Sequence, residues 1–198
     1  MLPTDQAVTE LHKKYAPSEE VLRLVYTHSE IVRDIALELI DASHLDVDRE
    51  LVRIGAMLHD IGVYPLFSPD GVRKEGVKYI THGIEGEKLL RREGFSEVLC
   101  RFAAHHTGVG LTRQDIITQE LPLPVRDYVA ETDEELLVMY ADKFHSKSTP
   151  PQFNTAESYR AWTAQFGNDT VKRFDRMVEK FGTPDLQRYS AQYGFEIK

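Results

Sequence analysis

His59 and Asp60 are adjacent, and both are side chains that bind transition metals. Imidazole suits Fe, Mn, Zn or Ni, and a carboxylate can bridge two such ions. A His-Asp pair alone is weak evidence, so its weight depends on what accompanies it. His28 lies at helical spacing from Leu24, Val25, Ile31 and Val32. A histidine in an apolar stripe must be satisfied internally, and a hydrogen-bonded core histidine is the simpler reading of His28 by itself. His82, the pair His105-His106, and Asp142 beside Val138, Met139 and Ala141 add more groups of the same kind. An aspartate in such surroundings is costly to bury unless it pairs with a charge or ligates a metal. Separately, these groups each need a structural explanation; a single metal centre accounts for them together.

The helices that carry these residues must bring them to one place. Helical periodicity dominates, and no alternating strand pattern extends beyond a few residues. Ser18 reads as an N-cap with Glu19 and Glu20 in the first turn, opening a helix over 18–43 with the stripe Val21, Leu24, Val25, Ile31, Val32, Ile35 and Leu39. Further helices are expected over 48–60, stopped by Gly62, then over 81–93, 96–106 and 133–146. Gly62, Pro65, Pro69, Gly71 and Gly76 make 62–80 a loop. Leu-Pro-Leu-Pro at 121–124 breaks up 108–132, apart from a short helix near 112–118. Loops of this length in a compact helical domain tend to be functional. A long polar helix over 155–181 is expected to pack outside or form part of a cap. The expectation is an all-α bundle of five core helices in one domain, with its core over 18–146 and a C-terminal helical extension over 147–198.

The order H…HD…H…H…D resembles the HD-domain superfamily, and His59-Asp60-Ile61-Gly62 is similar to its HDIG variant. His82-Gly83-Ile84-Glu85-Gly86 resembles the H-G-x-x-G element of two-metal members. Ala104-His105-His106-Thr107-Gly108 resembles their H-H-T-x-G segment, and Ala141-Asp142-Lys143 their terminal A-D-K. His59 to His82 and His82 to His105 are both separations of 23 residues. The likeness covers about 20–146.

The resemblance implies a first metal on His28, His59, Asp60 and Asp142, a bridging role for Asp60, and a second-metal pair in His82 and His105. The cofactors so implied are two divalent transition-metal ions, drawn from Fe, Mn, Co, Ni or Zn. Asp60 and His106 are the candidate catalytic groups, with His106 a substrate contact or an outer partner of the ligands. His145, three residues after Asp142 on the same helix face, has a phosphate contact or a place as an outer partner of the ligands open to it, and a surface position is the plainer reading. His12 and His44 sit near element ends among polar residues and read as surface. Val63 directly after HDIG, and the lack of a downstream G-Y-P, set the chain apart from the cyclic-dinucleotide phosphodiesterase branch. The H-G-x-x-G and H-H-T-x-G elements bring it closer to HD hydrolases of dinucleoside polyphosphates, while the 62–80 loop and Leu-Pro-Leu-Pro resemble a separate HDIG group.

Two such metals bind a phosphoryl oxygen and lower the pKa of a bound water to about 7. The implied activity is a phosphohydrolase acting on a small phosphorylated metabolite or nucleotide. Tyr64, Arg73, Lys74, Lys78 and His145 are the candidate substrate contacts, the cations gripping a non-scissile phosphate; a solvated charged loop is the plainer reading of that segment. The same six ligands also resemble HD-type mixed-valent di-iron oxygenases, which metal identity and oxygen consumption distinguish. A non-catalytic nucleotide-sensing module is the third class, and an intact ligand set argues against it.

Composition bounds the rest. Over 198 residues, 41% are apolar and 28% charged, ordinary for a globular protein that needs no disulfide or metal to fold. The net charge of -8 lacks the basic face that nucleic acid or an anionic membrane would need. Acidic residues concentrate in 113–142, with eight acidic against two basic, whereas 143–198 has nine basic and six acidic. Cys100 is the sole cysteine, so there is neither an intrachain disulfide nor a cysteine zinc site. No apolar run approaches a membrane span, and MLPTDQAVTEL has no leader pattern. A cytoplasmic protein is expected; the oligomeric state is left open.

Overall fold

The computed structural model describes residues 2–198. Ten α-helices run in the order α1 (Asp5–Tyr15), α2 (Glu19–Ser43), α3 (Arg49–Leu58), α4 (His82–Arg92), α5 (Glu97–His105), α6 (Arg113–Thr118), α7 (Asp133–Asp142), α8 (Ala156–Thr163), α9 (Asn168–Phe181) and α10 (Leu186–Tyr193). Three two-residue strands, β1 (His145–Ser146), β2 (Gln152–Phe153) and β3 (Glu196–Ile197), form a small sheet in that order. β1 pairs antiparallel with β2, and β2 pairs parallel with β3. The fold is all-α with this one small sheet, and no helix among the described residues is long and apolar enough to cross a membrane.

The helices start where short polar side chains cap them. Ser18 accepts from the Val21 N–H, Asp48 from those of Glu50 and Leu51, and Thr132 from that of Glu135. Each bond satisfies a backbone donor that the first helical turn leaves open. α2 ends with His44 in the left-handed region, at φ 49°. The buried face of α2, from Val21 to Ile40, packs on α3 and α7, while α4 packs on α5. One apolar cluster extends from Val8 on α1 to Tyr189 on α10. A smaller one of Ile84, Ile116, Leu123 and Tyr128 anchors the 108–132 segment.

Several elements depart from expectation for local reasons. α1 has only Val8, Leu11 and His12 buried, too short an apolar stripe to read from sequence; His12 itself is buried in the core, not on the surface. The helix expected over 155–181 is broken between α8 and α9. Gly167 there adopts φ 104°, which suits glycine. The helix expected to reach 146 stops at Asp142, and the chain turns into β1. The loop after Asp60 begins with a 3-10 segment over Ile61–Leu66. The extension after residue 147 does more than cover the outside: Phe153, Phe174, Phe181 and Tyr189 join the main apolar cluster.

Candidate metal centre

Every element that reaches the centre except α2 does so with one of its ends. His28 lies within α2, His59 and Asp60 directly follow α3, His82 opens α4, His106 directly follows α5, and Asp142 closes α7. Glycines set the spacing. A Cβ on Gly62 would lie 2.0 Å from the His82 carbonyl oxygen and 2.2 Å from the Gly86 nitrogen; one on Gly86 would lie 2.8 Å from the Ala103 Cβ. The glycines of both motifs therefore let the 3-10 segment touch α4, and α4 touch α5. That contact brings Asp60, His82 and His106 within reach of each other.

The imidazoles converge through Nε2. His28 Nε2 lies 2.9 Å from Asp142 Oδ1, 3.2 Å from His59 Nε2 and 3.4 Å from Asp60 Oδ2. His59 Nε2 lies 3.6 Å from Asp142 Oδ1. On the other side of Asp60, His82 and His106 present Nε2 atoms 2.8 Å apart, at 3.6 and 3.5 Å from Asp60 Oδ1. The opposite nitrogens are engaged: His59, His82 and His106 donate from Nδ1 to the carbonyls of Ala56 (2.6 Å), Tyr79 (2.7 Å) and Ala103 (2.8 Å). That assignment follows from the hydrogen-bond network, since a carbonyl can only accept. A neutral ring that donates from Nδ1 keeps a lone pair on Nε2.

Burial lowers the pKa of His28 to about 4 and of His82 to about 3, and lowers that of His106. Neutral lone pairs thus face one another around a buried carboxylate. Asp60 Oδ1 accepts no hydrogen bond, and Oδ2 is met by the Lys147 ammonium. Burial alone would raise its carboxyl, but the Lys147 ammonium beside it holds it well below the usual carboxylate range. Acceptors pointed at acceptors are what a divalent cation would satisfy, and the donor set of imidazole and carboxylate suits a first-row transition metal. His28, His59 and Asp60 form one group able to hold an ion, and Asp60, His82 and His106 form another.

Of the expected ligands, His28, His59, Asp60, His82 and Asp142 come together; His105 does not. Its Nδ1 faces Glu135 at 3.4 Å, and its ring packs edge-on to Tyr128. Adjacent residues on a helix point about 100° apart, so one of the pair turns inward, and that one is His106. Tyr64 also leaves the candidate substrate contacts. It is 1% exposed and its hydroxyl bonds His12 Nδ1 at 2.7 Å, while His12 Nε2 donates to the Met57 carbonyl at 2.8 Å. Lys74 reaches back to the Pro65 carbonyl at 2.8 Å, and Lys78 is exposed; neither lines the cleft above the centre. Arg73 does line it, with its guanidinium 5.4 Å from the Tyr79 ring centroid.

His145 lies in the centre, on β1 and not on a helix face. Its Nδ1 sits 2.8 Å from His28 Nδ1, and burial lowers its pKa to about 2. Two residues escaped the sequence reading. Lys147 places its ammonium against Asp60 Oδ2, and Lys143 bonds Asp142 Oδ2 at 2.5 Å and the His106 carbonyl at 2.9 Å. Lys143 was visible only as part of the A-D-K element. For Lys147 a cation five residues past Asp142 was the sole signal, and a helix drawn to 146 gave no reason for it to turn inward.

The cleft above these residues holds about 1440 Å³. α2 and the 62–80 loop form one wall, with Arg23, Phe67 and Tyr79; the extension forms the other, with Lys147, Gln152, Tyr159 and Trp162.

The chain matches the HD domain family model over residues 10–147. It is 36% identical over 129 residues to a tRNA (cytidine(56)-2'-O)-methyltransferase of Picrophilus torridus, covering 65% of this chain and 33% of that one. A Thermoplasma volcanium protein of the same name is 31% identical over 142 residues, covering 72% and 36%. An uncharacterized protein of Methanocaldococcus jannaschii is 38% identical over 125 residues, covering 63% and 66%. The chain therefore spans about a third of the length of the methyltransferases it matches and 66% of the third relative. Among solved structures, it resembles the HD domain of the L. monocytogenes phosphodiesterase PgpH, with TM-score 0.52, 14% identity, and coverage of 96% of this chain and 100% of that one. The same domain in complex with cyclic-di-AMP matches with TM-score 0.52 and 15% identity, over 98% and 100%. At that identity the likeness is one of fold. The match over 10–147 spans all the converging side chains from His28 to Lys147, and the chain belongs to the HD domain family.

Proposed function

We propose that the chain is a metal-dependent phosphohydrolase acting on a small phosphorylated metabolite or nucleotide. The observation that carries this reading is the set of Nε2 lone pairs aimed at both sides of the buried Asp60 carboxylate, on the floor of an open cleft. In this reading His28, His59, Asp60 and Asp142 hold one divalent ion, and Asp60, His82 and His106 hold a second. Bound there, such ions supply Lewis acidity toward a phosphoryl oxygen and an activated water.

The chain's own residues prepare that chemistry. Backbone carbonyls fix the rings of His59, His82 and His106, so the ligands do not reorient on loading. His145 Nδ1 accepts a hydrogen bond from His28 Nδ1–H, the tautomer that leaves His28 Nε2 free to ligate. Lys143 holds Asp142 Oδ2 and so leaves Oδ1 facing His28 and His59. The one thiol, Cys100, is buried in the apolar core and takes no part.

The complex of a similarly folded domain with cyclic-di-AMP supports a phosphate-ester substrate for this cleft. Methyl transfer is not proposed, because the chain spans only a third of each relative so named. The test is metal analysis of aerobically and anaerobically purified protein, with a phosphate-release screen on nucleotides and sugar phosphates. EDTA should abolish turnover, and Mn2+, Fe2+, Co2+ or Ni2+ should restore it without oxygen. Oxygen consumption with no release from any ester would replace this reading with an oxygenase.

A further inference from the structure

Among the described residues, Lys147 is the one lysine or arginine that touches the shared carboxylate. Its side chain is 14% exposed, and its ammonium meets Asp60 Oδ2, the oxygen that also faces His28. The other cations on the cleft are engaged elsewhere or lie on its walls. Lys143 is held by Asp142 and the His106 carbonyl, Arg73 lies over the Tyr79 ring, and Arg23 and Lys198 are exposed. Lys147 thus occupies charge space that the two-ion reading gives to metal.

A buried ammonium needs an anionic or polar partner. Two divalent ions on the oxygens of Asp60 would take away the partner that Lys147 has and place like charge beside it. Its flexible four-carbon stem lets the head group move within the cleft. The incoming anion on the proposed function is a phosphoryl group, and its non-bridging oxygens are the ammonium's natural next partner.

We propose that Lys147 is a switching cation: it neutralises Asp60 in the metal-free protein and binds a phosphoryl oxygen of the substrate once metal has displaced it. The proposal rests on the two-ion reading above. Two consequences separate it from a structural ion pair. Lys147 and metal compete for Asp60, and Lys147 is needed for the anion more than for the metal.

The experiment compares wild type, Lys147→Met and Lys147→Arg, each metal-free and loaded with Mn2+, by metal analysis, thermal melting and calorimetric titration with inorganic phosphate. Lys147→Met should melt lower than wild type without metal, because Asp60 is then buried unpaired, and should gain more in Tm on loading. It should hold as much metal as wild type, while its affinity for inorganic phosphate falls tenfold or more. Lys147→Arg should stay within a few-fold of wild type. Unchanged phosphate affinity in loaded Lys147→Met, or loss of metal from it, would overturn the proposal while the metal reading stands. A wild type that takes up no metal would overturn both.

Discussion

His82 Nε2 and His106 Nε2 face each other at 2.8 Å, although each ring already donates its Nδ1 proton to a backbone carbonyl. Two neutral acceptors at that separation repel unless a proton or a cation lies between them. Burial keeps both rings from protonating readily, so a cation is the group that suits them.

This pair separates the two adjacent histidines by experiment. His106→Ala should lose the ion shared by Asp60, His82 and His106. His105→Ala should keep full metal content and lose about 0.5–1.5 kcal/mol of stability through its edge-on packing on Tyr128. Metal analysis beside a melting curve reads both. Metal loss in His105→Ala with retention in His106→Ala would reverse the assignment.

His145 acts on metal through His28. Removing it leaves His28 Nδ1 without its partner at 2.8 Å and frees the ring to reorient. Loss of such an outer partner typically lowers metal affinity 10–100-fold. His145→Ala should show that loss in a competition titration with a chelator, while His145→Asn, which still carries an acceptor, recovers part of it. Equal affinities in wild type and His145→Ala would rule this role out.

Gly62 tests the contact between the two motifs. In Gly62→Ala the new Cβ would overlap the His82 carbonyl and the Gly86 nitrogen, both backbone atoms that cannot turn aside. A loss of about 3 kcal/mol or more is expected, with displacement of His82 and weaker metal binding. Gly76→Ala is the control: nothing lies within 4 Å, so only its φ of 76° opposes the change, at about 1–2 kcal/mol. Comparable Tm values for the two variants would contradict the packing account.

His12 gives acid sensitivity outside the metal centre. Burial lowers its pKa from 6.5 to about 4, so the fold holds the ring neutral while the unfolded chain protonates it. Its contribution is complete above about pH 6.5 and is lost as pH falls toward 4, at about 3 kcal/mol in total. His12→Leu should be less stable than wild type at pH 7.5, since Tyr64 loses its partner. It should then lose less further stability between pH 7 and 4.5, as read by denaturant melts. Parallel pH profiles for the two proteins would exclude His12 as a source of the acid loss.

How much of this was legible in the sequence depended on distance along the chain. The ligand types and the helices that carry them could be read because each is local: apolar period, N-cap and the chemistry of imidazole beside carboxylate are all properties of short segments. His28, whose sequence neighbourhood alone fits an ordinary core histidine, gained its meaning only in company with His59, Asp60 and Asp142. Which of His105 and His106 turns inward was decided by the rotation of α5 against α4, and that rotation follows from Ala103 seated on Gly86. Tyr64 faces His12 instead of the cleft because α1, whose apolar stripe was too short to read, covers that side. Lys147 reaches Asp60 because the chain leaves α7 at Asp142 and enters β1, which pairs with β2, itself paired with β3 44 residues further along the chain. A local pattern names which side chains can do chemistry; which of them meet is decided by contacts between segments far apart in sequence, and those exist only after the core has packed.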